Sequence, residues 1–228
     1  MLMFLILYIV FAKFLKFGGD IPHYPVYLLT GTVLWSFFTE CTGQGIQSVV
    51  GRGDLLRKLS FPKWVIVVSA TATALINLAI NLLVVVVFAL INGVEPSLSW
   101  LLVPLSVIEL YGLSLGLSLL LGAINVRFRD ISSIWDVMQQ ALFYAVPIIY
   151  PISMVLETSP MAAKILMLDP IAQVVQDVRH NLITTQAITT WDLMNPVFAM
   201  IPIIVVVFLL VFAGVYFRKR SKYFAEEV

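Results

Sequence analysis

Apolar residues run along this chain in long blocks, broken by short stretches of glycine, proline and charge. A helix needs about 20 mostly apolar residues to cross about 30 Å of hydrocarbon. Six blocks meet or approach that length: Met1–Phe17, Val26–Val49, Trp64–Ile91, Trp100–Ile124, Ser132–Tyr150 and Pro196–Phe217. They are too long and too continuously apolar for barrel strands, which alternate over about 10 residues. The pattern therefore predicts an all-α, polytopic membrane protein with six transmembrane helices.

The breaks have distinct characters. FGGDIPHYP (Phe17–Pro25) reads as a loop by its Gly and Pro. GRGDLLRKLSFPK (Gly51–Lys63) is polar and basic, with a short amphipathic stretch, and NVRFRD (Asn125–Asp130) is a charged turn. The longest break, Pro151–Asn195, is neither a clean span nor a polar loop. Within it Ser153–Leu168 and Ile171–Ile183 each predict a short helix, separated by Asp169-Pro170. Apolar helices of half length lie in an interface or re-enter the membrane. No internal repeat or low-complexity tract interrupts the chain, so residues 1–228 are read as one domain.

Composition sharpens this picture. Of 228 residues, 61% are hydrophobic and 12% charged, against ~45–50% and ~25% in ordinary soluble domains. The mean hydropathy is +0.99. A soluble monomer of this composition would expose large apolar patches. The net charge of +1 supplies no field for phosphate polymers, so nucleic acid is not an expected partner. Cys41 is the single cysteine, and His23 and His180 lie far apart, so no metal site is expected.

Lysine and arginine set the orientation. Arg52, Arg57, Lys58 and Lys63, then Arg127 and Arg129, then Arg218, Lys219, Arg220 and Lys222 all fall on one side if six spans alternate. That side is assigned to the cytoplasm, with the C-terminus. The first span dissents locally: nothing basic precedes it, while Lys13 and Lys16 follow it. A longer native N-terminus carrying a cytosolic flank would resolve the conflict.

Zinc-protease and phosphate-loop motifs are absent: there is no HExxH and no GxxxxGK[ST]. Work against a gradient would need energy from a partner or an ion. Glu40, Glu109 and Asp136 fall in or near spans, where an ionised acid costs about 2.5–3.5 kcal/mol on insertion scales. Each is either part of a path or relay, or an acid satisfied by a neighbouring helix or an interface. TECTGQGIQS (Thr39–Ser48) is unusually polar for a span. It either lets helices pack closely or lines a hydrated cavity. Trp35, Phe37 and Phe38 cluster in one span, and Phe143, Tyr144 and Tyr150 in another. They are either lipid-facing bulk and interfacial belts, or a stacking path for sugar rings.

The Gly51–Lys63 break is the most distinctive. Leu55, Leu56 and Leu59 fall at helical spacing beside Arg57 and Lys58, and Phe61-Pro62 stops the helix. Such a helix either lies on anionic lipid or docks into a partner's groove. DLLRKLSFPKW (Asp54–Trp64) resembles the cytosolic coupling segment of ABC exporter permeases. NVRFRDI (Asn125–Ile131), AVPIIYPISM (Ala145–Met154) and LDPIAQVVQDVRHNL (Leu168–Leu182) follow in matching order. Together they resemble the type-2 permeases that export O-antigen, capsular polysaccharide and teichoic acid.

The resemblance implies a division of labour in the bacterial cytoplasmic (inner) membrane. A second copy of the chain would complete a channel, and separate ABC subunits would bind ATP and Mg. Asp54, Leu55, Leu56, Arg57, Lys58, Leu59 and Phe61 would couple to that ATPase. Trp35, Phe38, Glu40, Phe143, Tyr144 and Tyr150 would lie on the path of a lipid-linked glycan. Pro151, Asp169, Pro170 and Arg179 would belong to an external gate. The family usually opens with a basic amphipathic cytosolic helix, whereas this chain starts directly at its first span, and its Asp169 stands where Asn is common. A permease for drugs or lipids, an intramembrane enzyme acting on lipid-linked sugars, and a noncatalytic scaffold are the competing readings.

Overall fold

The computed structural model describes residues 6, 8–10, 21–53 and 61–224, which are mostly helical with no strand among them. Helix α1 spans Tyr24–Val50. It starts where His23 adopts a left-handed φ of 56° and Pro25 occupies the first turn. That turn needs no amide from proline, and proline's fixed φ already suits a helix. Helix α2 spans Trp64–Ile91. It ends at Asn92, followed by Gly93 at φ +83°, a conformation that favours glycine. A 3-10 turn over Leu98–Leu102 leads into α3, Val103–Arg127, and α4 follows over Ile131–Ala145. Three short helices come next: α5 Ile152–Thr158, α6 Pro160–Leu166 and α7 Pro170–Leu182. Single turns α8 (Thr190–Leu193) and α9 (Pro196–Ala199) precede the last long helix, α10, Ile201–Arg220.

Trp64–Ile91, Leu98–Arg127 and Pro196–Arg220 are long and apolar enough to cross a membrane, and the protein is an integral membrane protein. The other expected spans fare differently. Met1–Phe17 lies almost wholly outside the described residues. Helix α1 has 27 residues, about 40 Å at 1.5 Å per residue, but the polar run Thr39–Ser48 dilutes its apolar character. The span expected over Ser132–Tyr150 is corrected: α4 has only 15 residues and stops at Ala145. Pro147 lacks an amide donor and pushes Val146 to an extended ψ of 138°. The apolar run Val146–Ile149 hid that stop. A second correction concerns Ser153–Leu168, which Ser159-Pro160 splits into α5 and α6. There Ser159 Oγ accepts from the Ala162 amide at 3.3 Å.

Helix α1 is the centre of the assembly. It packs on α2 along one side and on α3 along another, while α7 wedges between α1 and α3 and α10 covers the far face of α3. The α1–α3 contact is close because small residues meet. Gly45 faces Ser118 and Gly122, and a methyl on Gly45 would overlap the Ser118 side chain. Ser118 Oγ also donates to Cys41 O at 3.2 Å and to Ser114 O at 2.7 Å. Small residues and short hydroxyls are how helices approach each other in lipid, where no hydrophobic force drives them together.

Candidate functional site

The positions of α1 that stand open are Ser36, Gln44 and Gln47, all polar. Cys41, Thr42, Gly45 and Ser48 of the same stretch are buried. The polar run Thr39–Ser48 therefore does both things its sequence allowed, residue by residue. Helix α2 continues the open polar face with Ser69, Thr73 and Asn81, and with half-buried Asn77. Two bonds fix the register of the antiparallel pair. Arg52 Nη1 donates to Ser69 Oγ at 3.2 Å, and Asn77 Nδ2 donates to Glu40 Oε1 at 2.7 Å. Gln44 Nε2 adds a second donor to Glu40 Oε1 at 3.1 Å. The Glu40 carboxylate is thus satisfied by two amides on the surface of a polar ribbon.

Helix α4 borders this ribbon. Its inward face carries Trp135, Gln139 and Phe143, spaced by one turn each. Trp135 Nε1 and Gln139 Nε2 donate to Thr42 Oγ1 at 3.1 and 2.8 Å, and that hydroxyl donates to Phe38 O at 2.8 Å. Every hydrogen-bonding valence of Thr42 is filled, so α4 is keyed to α1 at one point. Beside this key lies a cleft of about 540 Å³ lined by Trp35, Thr39, Asp136, Gln139, Gln140, Phe143 and Tyr144. The rings form a tilted array, with centroids 5.7 Å apart for Trp35–Phe143 and 5.4 Å for Phe143–Tyr144. Phe38 sits beneath them, fully buried, 5.5 Å from Trp35 and 6.1 Å from Trp135. Tyr144, at 71% exposure, is the open rim. Trp35 of α1 and Phe143 and Tyr144 of α4 thus converge. Glu40 lies on the ribbon away from the cleft lining. Tyr150 is turned onto the backbone, donating to Ala145 O at 2.8 Å. Asp136, Gln139 and Thr42 were not singled out together by sequence reasoning. Their signal was the one-turn spacing of Trp135 and Gln139 opposite a mid-helix Thr.

The turn after α4 is held by Arg179 of α7. Its side chain is fully buried. Nε donates to Tyr27 O at 3.1 Å, and Nη1 and Nη2 donate to Pro147 O and Ile148 O at 2.6 Å each. The guanidinium also lies 3.6 Å from the centroid of the Tyr27 ring. A buried cation is costly unless its donors are met. Here carbonyls at the negative end of α4 and one aromatic face meet them. Tyr24 completes the clamp by donating to Ile149 O at 2.9 Å. Proline-rich backbone that cannot bond to itself is thereby satisfied by side chains from α1 and α7. Of the other residues expected at an external gate, Asp169 caps α7 by accepting from the Ile171 amide at 3.0 Å, and Pro170 opens that helix. Pro151 lines a separate cavity of about 270 Å³ with Tyr27, Ser153 and Glu157.

Glu109 faces the α3–α7 seam. Its Oε1, with Gln173 Oε1 and Gln176 Nε2, is buried without a hydrogen-bond partner among the described residues. No group of three or more His, Cys, Asp or Glu is gathered in a metal-binding arrangement among them. Asp54, Leu55, Leu56, Arg57, Lys58 and Leu59 lie outside the described residues. Phe61 lies within them, half-buried against the cluster around Phe217 and Phe224.

With this geometry in hand, the chain can be set beside known proteins. Residues 1–183 match the family described as ABC-2 type transporter. The chain belongs to the ABC-2 type transporter family. The matched ABC-2 region takes in the cleft, the ribbon and the Arg179 clamp, and ends before α8. Among curated relatives, the O-antigen export system permease protein RfbA of Myxococcus xanthus is 32% identical over 140 residues, which is 61% of this chain and 54% of the relative. The protein of the same name from Klebsiella pneumoniae is 30% identical over 139 residues, 60% of this chain and 54% of the relative. The matches thus span about half the length of these ABC-2 relatives.

Proposed function

We propose that the chain is the membrane-spanning permease subunit of an ATP-driven exporter in the bacterial cytoplasmic membrane. Its cargo is a lipid-linked polysaccharide or a teichoic-acid-like polymer. The observation that carries this reading is the open polar and aromatic face formed by α1, α2 and α4. The side chains of Ser36 and Gln47 have no hydrogen-bond partner among the described residues, and lipid offers none, so that face calls for water, a polar cargo or the polar face of a second copy. Trp35, Phe143 and Tyr144 offer ring faces to sugar C–H groups, while Thr39, Asp136 and Gln140 offer hydroxyl, carboxylate and amide to sugar hydroxyls. The names of the curated relatives support the same cargo class.

In this reading two copies close their polar faces around a shared path. A separate ATP-binding subunit engages Asp54–Phe61, and the C-terminus faces the cytoplasm with the basic helix ends. Pulling the tagged chain from native membranes in mild detergent should recover a stoichiometric ATPase carrying a phosphate loop. Trp35→Ala with Tyr144→Ala should then lower polymer export about tenfold, with ATPase recovery unchanged. Absence of any ATPase would sink the exporter reading. Full export by the double variant would remove the cleft from the path.

A further inference from the structure

A second cavity shares no lining residue with the polar and aromatic cleft. It has a volume of about 820 Å³ and opens between the start of α2, the second half of α3 and the end of α10. Its walls are aliphatic and aromatic: Trp64, Val68, Leu115, Leu119, Leu210 and Phe217. Gly214 leaves one wall bare, with no atom within 4 Å of where its Cβ would be. One edge is basic. Lys63, Arg218 and Lys222 line it together with Ser221.

The three cations differ in what they do. Lys63 Nζ donates to Ser221 O and lies 5.9 Å from the Phe224 ring centroid, so it pins the end of α10. Arg218 and Lys222 are exposed, and neither side chain has a hydrogen bond or ion pair among the described residues. Two uncommitted cations thus stand at the mouth of an apolar groove, where the apolar run of α10 ends.

The geometry points to a binding site for one anionic phospholipid of the adjacent leaflet. The headgroup phosphate lies on Arg218 and Lys222, and an acyl chain lies along Trp64, Leu115 and Gly214. Charge complementarity selects the occupant. A zwitterionic lipid would bring its own cation to the basic edge, and a soluble anion would leave the apolar groove empty. Basic pockets between spans are built for such lipids, each cation contributing about 1 kcal/mol near the surface. The site is separate from the cargo cleft and does not rest on the transport reading.

The test is native mass spectrometry of the purified full chain, delipidated in mild detergent and titrated with single lipids. The lipids are phosphatidylglycerol, phosphatidylcholine with the same acyl chains, and a polyprenyl phosphate. The expected result is selective retention of phosphatidylglycerol. Arg218→Gln with Lys222→Gln should lower that retention about thirtyfold, the equivalent of about 1 kcal/mol per cation, and leave phosphatidylcholine unchanged. Gly214→Leu should fill the groove and lower retention with both charges intact. Equal retention of the two phospholipids would overturn the proposal. So would a Gly214→Leu chain that keeps its lipid, or retention of polyprenyl phosphate alone.

Discussion

Helices α1 and α10 are both long enough to cross a bilayer, and they turn opposite materials outward. The open positions of α1 are Ser36, Gln44 and Gln47, while its aliphatic and aromatic residues are packed inside. Along the middle of α10 the open positions include Ile204, Val207, Phe208 and Val211, with Phe208 stacked on Phe212 at 6.1 Å. Helix α10 follows the rule for a lipid-facing span, and α1 follows the rule for a helix beside water. The comparison teaches that run length and mean hydropathy locate a span, while the direction of its polar residues identifies the medium it meets.

The largest expected effect comes from adding volume to each helix. Gly45→Leu would force a side chain into Ser118 and should lower stability by about 3 kcal/mol, at the upper end for overpacking. Gly214→Leu on α10 enters open space and should change the melting temperature in detergent hardly at all. Equal losses at both positions would break the comparison. Next comes charge. Phe208→Arg should reduce membrane insertion by about 2.5–3.5 kcal/mol, whereas Gln44→Arg should insert nearly as well as the parent. A glycosylation-mapping insertion assay measures both.

A smaller effect tests the ribbon itself. Asn77→Leu removes the shorter donor to Glu40 and should cost about 1 kcal/mol in detergent unfolding. Glu40→Gln in that background should recover part of the loss if burial of an under-bonded charge is the cause. The smallest effect lies outside both helices. Asp192 caps α8, accepting from the Thr189 amide at 2.8 Å and the Thr189 hydroxyl at 2.7 Å. The amide, first, then the hydroxyl hold its carboxyl below the usual aspartate range. A depressed folded pKa gives stability that is present above the unfolded value and is lost as the pH falls through the folded one. Protection factors in Thr190–Leu193, the exchange rates corrected for the intrinsic pH dependence of amide exchange, should therefore fall in acid, and Asp192→Asn should remove that pH dependence at a cost of about 0.5–1 kcal/mol, as for other helix caps.

Legibility differed by element for physical reasons. Helices α2, α3 and α10 were legible from run length alone, because their scattered polar residues leave the apolar run long enough to span and no proline or charge cluster stops it midway. The early stop of α4 was written at Pro147, but Val146, Ile148 and Ile149 continue the apolar count, and a count does not register a missing amide. Ser159-Pro160 was an available stop of the same kind. Trp35, Phe143 and Tyr144 were legible as aromatic clusters in separate spans. Their convergence depends on the Thr42 key, a tertiary contact with no local signature. Arg179 was named only through the family resemblance, as part of an external gate. Its burial was not legible, because its partners are carbonyls, which every residue type supplies.

One consequence follows from the clamp. A methyl built on Gly31 would fall on the Arg179 guanidinium and within 3.2 Å of Ile148 O. Any side chain at position 31 therefore evicts the arginine, and a shorter residue at 179 strands the carbonyls that the glycine leaves room for it to reach. Gly31→Ala and Arg179→Leu should each fail alone, and their losses should not sum in the double variant. In genetic language the two positions are epistatic: distant in the chain, they can drift only together, as a single locus would.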